Sequence, residues 1–227
     1  MIIRYNKEKR HYLMNTLPLN HIFIPSKTAS KKLMIILHGR GDSSQGFTWL
    51  PPYLNLDELN YLLLDAPYDY FGGRSWYDLP PNQLEGIQYS SKILTEILDI
   101  LFENEFDASQ SFLFGFSQGS LLTFEFGARY KKKLAGYLAI SGYIYNPELL
   151  LKEMNPALKD ANWLCTHGTH DDVLPFSTSS TQVATLQEGN FKIDFKSYPK
   201  VHTIAEDELI MIKEWIQKAM NANKEKI

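Results

Sequence analysis

Gly115-Phe116-Ser117-Gln118-Gly119 sets a hydroxyl between two glycines, a G-x-S-x-G spacing that suits a serine nucleophile. At average glycine usage the pattern arises by accident in about one chain in ten to twenty of this length, so its setting carries the weight. It follows the apolar run SFLFGF and opens QGSLLTFEFGARY, a stretch of helical period. A serine on such a strand-to-helix turn sits in a tight backbone with its hydroxyl exposed, and the flanking glycines leave room for close approach. The helix start adds backbone N–H groups and a partial positive charge. The plainer alternative is a serine that N-caps an ordinary helix.

Serine is a poor nucleophile at neutral pH, so a base must take its proton, and that base must be held in one tautomer. Tyr198-Pro199-Lys200-Val201-His202-Thr203 supplies a late histidine, and His167-Gly168-Thr169-His170-Asp171-Asp172 supplies two adjacent aspartates. Each could be ordinary: His202 a residue at a helix start, and one aspartate the cap of a helix that Pro175 helps begin, leaving one carboxylate for each task. Chain order argues for more. Ser117, Asp171 and His202 place nucleophile, acid and base on loops after strands, in the order that accompanies a strand–turn–helix serine.

Acyl transfer also needs donors where negative charge develops on the tetrahedral intermediate. Leu37-His38-Gly39-Arg40-Gly41-Asp42 ends the strand-like run LMIIL. Two glycines spaced by one residue let this backbone fold back and aim an N–H outward, so the candidate donors are the amides of Arg40 and Gln118. His38 could serve as a base. The reading preferred here is a packed histidine whose ring nitrogens brace the loop.

These residues need a scaffold. Apolar, β-branched runs mark candidate strands at Asn20–Ile24, Leu33–His38, Tyr61–Asp65, Ser111–Phe116, Leu134–Ile140, Asn162–His167 and Phe191–Ser197. Helical period marks Gly46–Leu54, Gln83–Phe102, Gln118–Tyr130, Ser177–Glu188 and Ala205–Ala222. Strand then helix, repeated from Leu33 onward, is the pattern of a parallel sheet covered on both faces. Runs such as LMIIL and YLLL, apolar at every position, fit strands buried on both sides. In such open sheets ligands sit beyond the carboxyl ends of the strands, which is where all four motifs fall.

The bulk properties set the remaining bounds. At 227 residues the chain is long enough for one well-filled core, and a single domain over residues 1–227 is expected. A net charge of −3 gives no broad pull toward nucleic acid or anionic lipid, and the basic runs Lys7–Arg10 and Lys131–Lys133 read as solvated faces or helix ends. One cysteine, Cys165, allows no internal disulfide, which suits a reducing compartment. MIIRYNKEKRHYLMNTL carries charges where a signal peptide needs an apolar stretch, and no apolar run is long enough to span a bilayer. The expectation is a cytoplasmic monomer or homodimer that acts on a small-molecule ester or thioester, without nucleic acid, stable membrane insertion or cofactor.

Taken together, LHGRGDSSQGF, DAPYDYFGGRSWYDLP, GFSQGS, HGTHDDVLP and the late VHT resemble the phospholipase/carboxylesterase family, the small bacterial carboxylesterases and acyl-protein thioesterases. The resemblance runs over most of the chain from about Leu33. It implies an α/β-hydrolase fold, a mostly parallel central sheet with helices on both faces. By motif position it also implies Ser117 as nucleophile, Asp171 rather than Asp172 as the triad acid, His202 as base, and the Arg40 and Gln118 amides as oxyanion hole. Trp76 would line the acyl side of the cleft, with Leu174 as a further substrate-binding residue. Two departures stand out: the position of Arg40 is usually apolar in the family, often leucine, and the segment between Ala66 and Trp76 is shorter than in the acyl-protein thioesterases.

The expected activity is therefore hydrolysis of carboxylic esters of short to medium acyl chains through an acyl-enzyme. Acyl-protein thioesterase or lysophospholipase activity is the nearest variant on the same triad. Two other classes compete. His38, His167, His170, Asp171 and His202 could be imagined around zinc, but no compact ligand spacing supports that. A non-catalytic ligand-binding module could keep the fold, but a decayed site would be expected to lose a triad member, and none is missing.

Overall fold

The computed structural model describes residues 10 and 12–224. Seven strands form one sheet in the order β1-β3-β2-β6-β7-β8-β9. They are β1 (His21–Ile24), β2 (Lys32–Leu37), β3 (Leu59–Leu64), β6 (Phe112–Phe116), β7 (Gly136–Ile140), β8 (Trp163–Gly168) and β9 (Ile193–Tyr198). Only β1 is antiparallel, pairing His21–Ile24 with Tyr61–Leu64; every other neighbour is parallel. The carboxyl ends of the parallel strands therefore share one edge. From β2 the chain steps to β3 on one side and later returns to β6 on the other, so the order reverses between β2 and β6. A crevice opens at such a switch point, and the glycine-rich segment after β2 faces the serine turn after β6 across it.

Side-chain alternation explains the uninterrupted apolar runs. Along β2, Leu33, Ile35 and Leu37 enter one core while Met34 and Ile36 enter the other; along β6, Leu113 goes to the first and Phe112 and Phe114 to the second. A strand with period two must be apolar throughout when both of its faces are covered. The first core is closed by α2 (Gln83–Asn104), through Ile87, Leu94, Ile97, Leu98 and Leu101. The second is closed by α6 (Glu206–Lys224), through Leu209, Ile212 and Ile216. Both helices show the i, i+3/i+4 spacing of a core-facing stripe.

All seven expected strands form, and the architecture is the α/β-hydrolase fold. Several boundaries move. The stretch read as one helix over Gly46–Leu54 is a 3₁₀ turn, Ser44–Phe47, followed by α1 (Leu50–Leu54). Pro51 and Pro52 lack the N–H groups that a helix interior needs and are accommodated only in a first turn. The helix read to Tyr130 is regular only as α3 (Gln118–Glu125), continuing in turns. A hairpin and a short helix are among the elements that have no counterpart in the sequence reading. A hairpin of β4 (Tyr68–Tyr70) and β5 (Gly73–Ser75) turns through Phe71 and Gly72, with φ of 43° and 87°. A short helix, α4 (Pro147–Glu153), has the Asn146 side chain capping the Leu149 amide at 2.9 Å. The remaining helix is α5 (Phe176–Glu188).

Of the basic run Lys7–Arg10 only Arg10 lies within the described residues, where it pairs with Glu105 at 2.5 Å. Lys131 pairs with Asp99 on the surface at 2.7 Å. No helix among the described residues is long and apolar enough to cross a membrane.

Candidate active site

Ser117 is the single residue between β6 and α3, and the turn is as tight as the motif requires. Its φ of 54° and ψ of −113° lie where non-glycine residues are rarely found. A Cβ on Gly115 would meet Gly119 O at 2.0 Å, and one on Gly119 would meet Leu37 O at 2.2 Å. Both glycines are thus required by close packing of the helix start on the sheet. The Ser117 amide donates to Ile140 O of β7 at 2.9 Å, which ties the turn to the next strand.

Three loops bring their side chains together. His202 Nε2 lies 2.9 Å from Ser117 Oγ, and His202 Nδ1 lies 2.8 Å from Asp171 Oδ2. An ionised carboxylate only accepts, so Nδ1 carries the hydrogen and Nε2 is left with a lone pair facing the hydroxyl. Asp171 Oδ1 in turn accepts from the amides of Val173, at 3.0 Å, and Leu174, at 2.8 Å. Burial alone would push the Asp171 carboxyl up; the Leu174 amide and the His202 contact outweigh it and hold the carboxyl below the ordinary aspartate value. Asp172 is exposed. One carboxylate therefore serves both the turn and the histidine, where the sequence suggested one aspartate for each.

The two candidate oxyanion donors flank Ser117. A Cβ on Gly39 would sit 3.2 Å from Ser117 Cβ, so the segment after β2 passes directly beside the nucleophile candidate. Neither the Arg40 nor the Gln118 amide donates to another group among the described residues. The Gln118 side chain has a separate task that the sequence did not disclose. Its Oε1 accepts from Ser75 Oγ at 3.1 Å and Trp76 N at 3.0 Å, and its Nε2 donates to Tyr77 O at 2.8 Å. It thereby holds the segment after β5 against the start of α3. His38 braces its loop as expected: Nε2 accepts from Ala66 N at 3.1 Å, while Nδ1 lies 2.6 Å from Gly39 O.

A largely apolar cavity of about 440 Å³ opens at Ser117, with Arg40, Tyr77, Leu79, Tyr143 and Leu174 in its wall. Leu174, expected to contact substrate, stands in this wall. Trp76, expected to line the acyl side, does not reach that wall: it is buried with Nε1 donating to His38 O at 2.9 Å, and the equally buried Tyr77 lines the cavity instead. The Arg40 guanidinium lies 4.1 Å above the Tyr70 ring and 3.9 Å from the exposed Asp78 carboxylate. Cys165 is buried inside β8, and burial pushes its thiol up to about 12, which leaves it an inert apolar group. Among the described residues no histidine, cysteine and carboxylate side chains gather in a group able to hold a metal.

This arrangement can activate a hydroxyl, hold a cation on the histidine and receive an acyl chain. Known proteins share both sequence and architecture with it. The chain is 28% identical over 220 residues to an acyl-protein thioesterase 1 from Yarrowia lipolytica, covering 88% of this chain and 97% of that one. It is 26% identical to the carboxylesterase SOBER1 of Arabidopsis thaliana, covering 86% and 93%. The crystal structure of esterase PE8 superposes with a TM-score of 0.78 at 26% identity, over 88% of this chain and 99% of that one. The family model described as phospholipase/carboxylesterase matches residues 19–220, so with its serine turn, capped aspartate and late histidine the chain belongs to the phospholipase/carboxylesterase family.

Proposed function

We propose that the chain, acting as a single domain, is a serine hydrolase that cleaves carboxylic esters of short to medium acyl chains through an acyl-enzyme. The observation that carries this reading is the unbroken line from Ser117 Oγ through both nitrogens of His202 to an aspartate locked by two backbone amides. Ser117 Oγ attacks the carbonyl carbon while His202 Nε2 takes its proton. Asp171 stabilises the imidazolium that forms and keeps the ring in its tautomer. The Arg40 and Gln118 amides receive the oxyanion. His202 then gives the proton to the leaving alkoxide, and a water activated by the same nitrogen attacks the acyl-serine and releases the acid.

A thioester is cleaved by the same steps with a thiolate leaving group, and the acyl-protein thioesterase among the relatives favours it as the second reading. The single buried cysteine fits a reducing, cytoplasmic setting for a monomer or homodimer.

The test is a rate profile over p-nitrophenyl esters from acetate to palmitate, beside one acyl thioester, with Ser117→Ala as control. Loss of a triad member costs about four to six orders of magnitude in rate. Near-wild-type turnover by purified Ser117→Ala would end the proposal.

A further inference from the structure

Two residues before His202, Lys200 is only 6% exposed, although a lysine on a loop ordinarily reaches into water. Its ammonium donates to Glu208 Oε1 at 2.7 Å and Oε2 at 2.6 Å, to Ser141 Oγ at 3.0 Å and to Thr203 O at 2.7 Å. The Glu208 side chain is fully buried; it also accepts from Ala205 N at 2.9 Å and from Thr166 Oγ1.

The Thr203 and Ser141 contacts land on segments that position site residues. Thr203 immediately follows His202, so the ammonium closes a ring across the histidine from residue 200 to residue 203. Ser141 extends β7, whose preceding residue, Ile140, accepts the Ser117 amide at 2.9 Å. The Lys200 carbonyl accepts from His170 N at 3.1 Å, beside Asp171. Val201, between the clamped positions, is 54% exposed, so little packing holds this loop from outside.

Stability alone does not account for the pair. Removing both charges from water is costly, and replacing such a pair by well-packed apolar side chains is often neutral or stabilising. Burial pulls the Lys200 ammonium down from the ordinary lysine value even though Glu208 raises it.

We propose that Lys200 and Glu208 form a positioning pair that holds the His202 loop so that the imidazole spans Asp171 and Ser117. Neither touches a reacting atom; both act through the backbone on either side of His202. The inference rests on the hydrolase reading above and adds to it the device that fixes the base.

The experiment compares Lys200→Met, the double variant Lys200→Met/Glu208→Leu, and Lys200→Arg, by melting temperature and by kcat and KM on p-nitrophenyl butyrate. The downfield proton-NMR signal of the His202 Nδ1 hydrogen is recorded without substrate. Removing one partner strands a buried charge, so Lys200→Met loses stability, and the apolar double variant regains it. Misplacement of a reacting group by about 1 Å costs about a hundredfold in rate, so kcat of the double variant stays down by about that factor. KM moves by less than about twofold, the downfield signal is lost, and Lys200→Arg recovers part of kcat. A double variant with wild-type melting temperature, wild-type kcat and an intact downfield signal would overturn the proposal. Should that variant fail to fold, Lys200→Gln, a neutral donor on a side chain one atom shorter, decides the same question by the same readouts. If the wild type hydrolyses no ester while the downfield signal is present and lost in these variants, the hydrolase reading fails and the positioning pair stands.

Discussion

Replacing Asp171 by asparagine separates geometry from charge in the site. The change keeps the shape of the side chain, and an amide could in principle turn either its oxygen or its nitrogen toward His202. The surroundings decide which. Oδ1 accepts from the Val173 and Leu174 amides at 3.0 and 2.8 Å, so an asparagine must keep its oxygen there and point its NH₂ group at His202 Nδ1. The imidazole then accepts at Nδ1, carries its hydrogen on Nε2, and presents a donor where Ser117 needs an acceptor. Turning the amide round would face the NH₂ group toward two backbone donors. Each unsatisfied donor costs about 1–3 kcal/mol, so the productive arrangement lies about 2–6 kcal/mol uphill. At about 1.4 kcal/mol per decade, that predicts a loss of about thirtyfold to twenty-thousandfold, a range that includes the about 10⁴ typical of this substitution in a triad. The assay is kcat for p-nitrophenyl butyrate with purified Asp171→Asn and Asp172→Asn, each checked for a cooperative melt. Asp172 is exposed and without this role, so its variant should stay within about threefold of wild type, as surface substitutions do. A folded Asp171→Asn within tenfold of wild type, or Asp172→Asn as the worse of the two, would refute the reasoning. Stability supplies a second check. The Asp171 carboxyl is held below the ordinary 3.8 in the folded chain, so its contribution is present above that value and disappears as pH falls through the lower folded one. The melting temperatures of wild type and Asp171→Asn should therefore converge in acid below about pH 4.

Two further perturbations probe the cavity and the buried thiol. Arg40→Leu should retain activity, because the proposed donor is its backbone amide, and should move the kcat/KM optimum toward longer acyl chains. The apolar replacement removes the desolvation cost of passing a chain beside a guanidinium, and each methylene buried is worth about 0.8 kcal/mol. A wild-type optimum already at palmitate, or an Arg40→Leu variant dead on every ester, would count against it. Cys165→Ala should keep most of the activity and lose some stability, since the thiol is buried in β8 with its acidity pushed to about 12. Strong inactivation of a folded Cys165→Ala would point to a cysteine mechanism instead.

The sequence by itself determined the scaffold and the order of the site. Strands such as LMIIL and YLLL are legible because a sheet covered on both faces must be apolar at every position, a local signal that needs no knowledge of partners. The serine turn is legible because its two glycines answer to close backbone contacts that no side chain could share. The short Tyr68–Ser75 hairpin escaped because its turn places Phe71 at positive φ, where Asn or Gly would have announced it. Which ring of the Trp76–Tyr77 pair meets the cavity was also undetermined: both are aromatic and both are buried, and only the fold sets Tyr77 in the wall and the indole N–H on His38 O, 38 residues away in sequence. The choice of Asp171 over Asp172 rested on family resemblance until the loop's own amides and the approach of His202 singled out one carboxylate. Lys200 and Glu208 carry no signal along the chain that marks them as a buried pair. Only the folding of β7, β8 and α6 around them makes a buried pair, because burial is a property of what lies on every side of a residue and not of its neighbours along the chain.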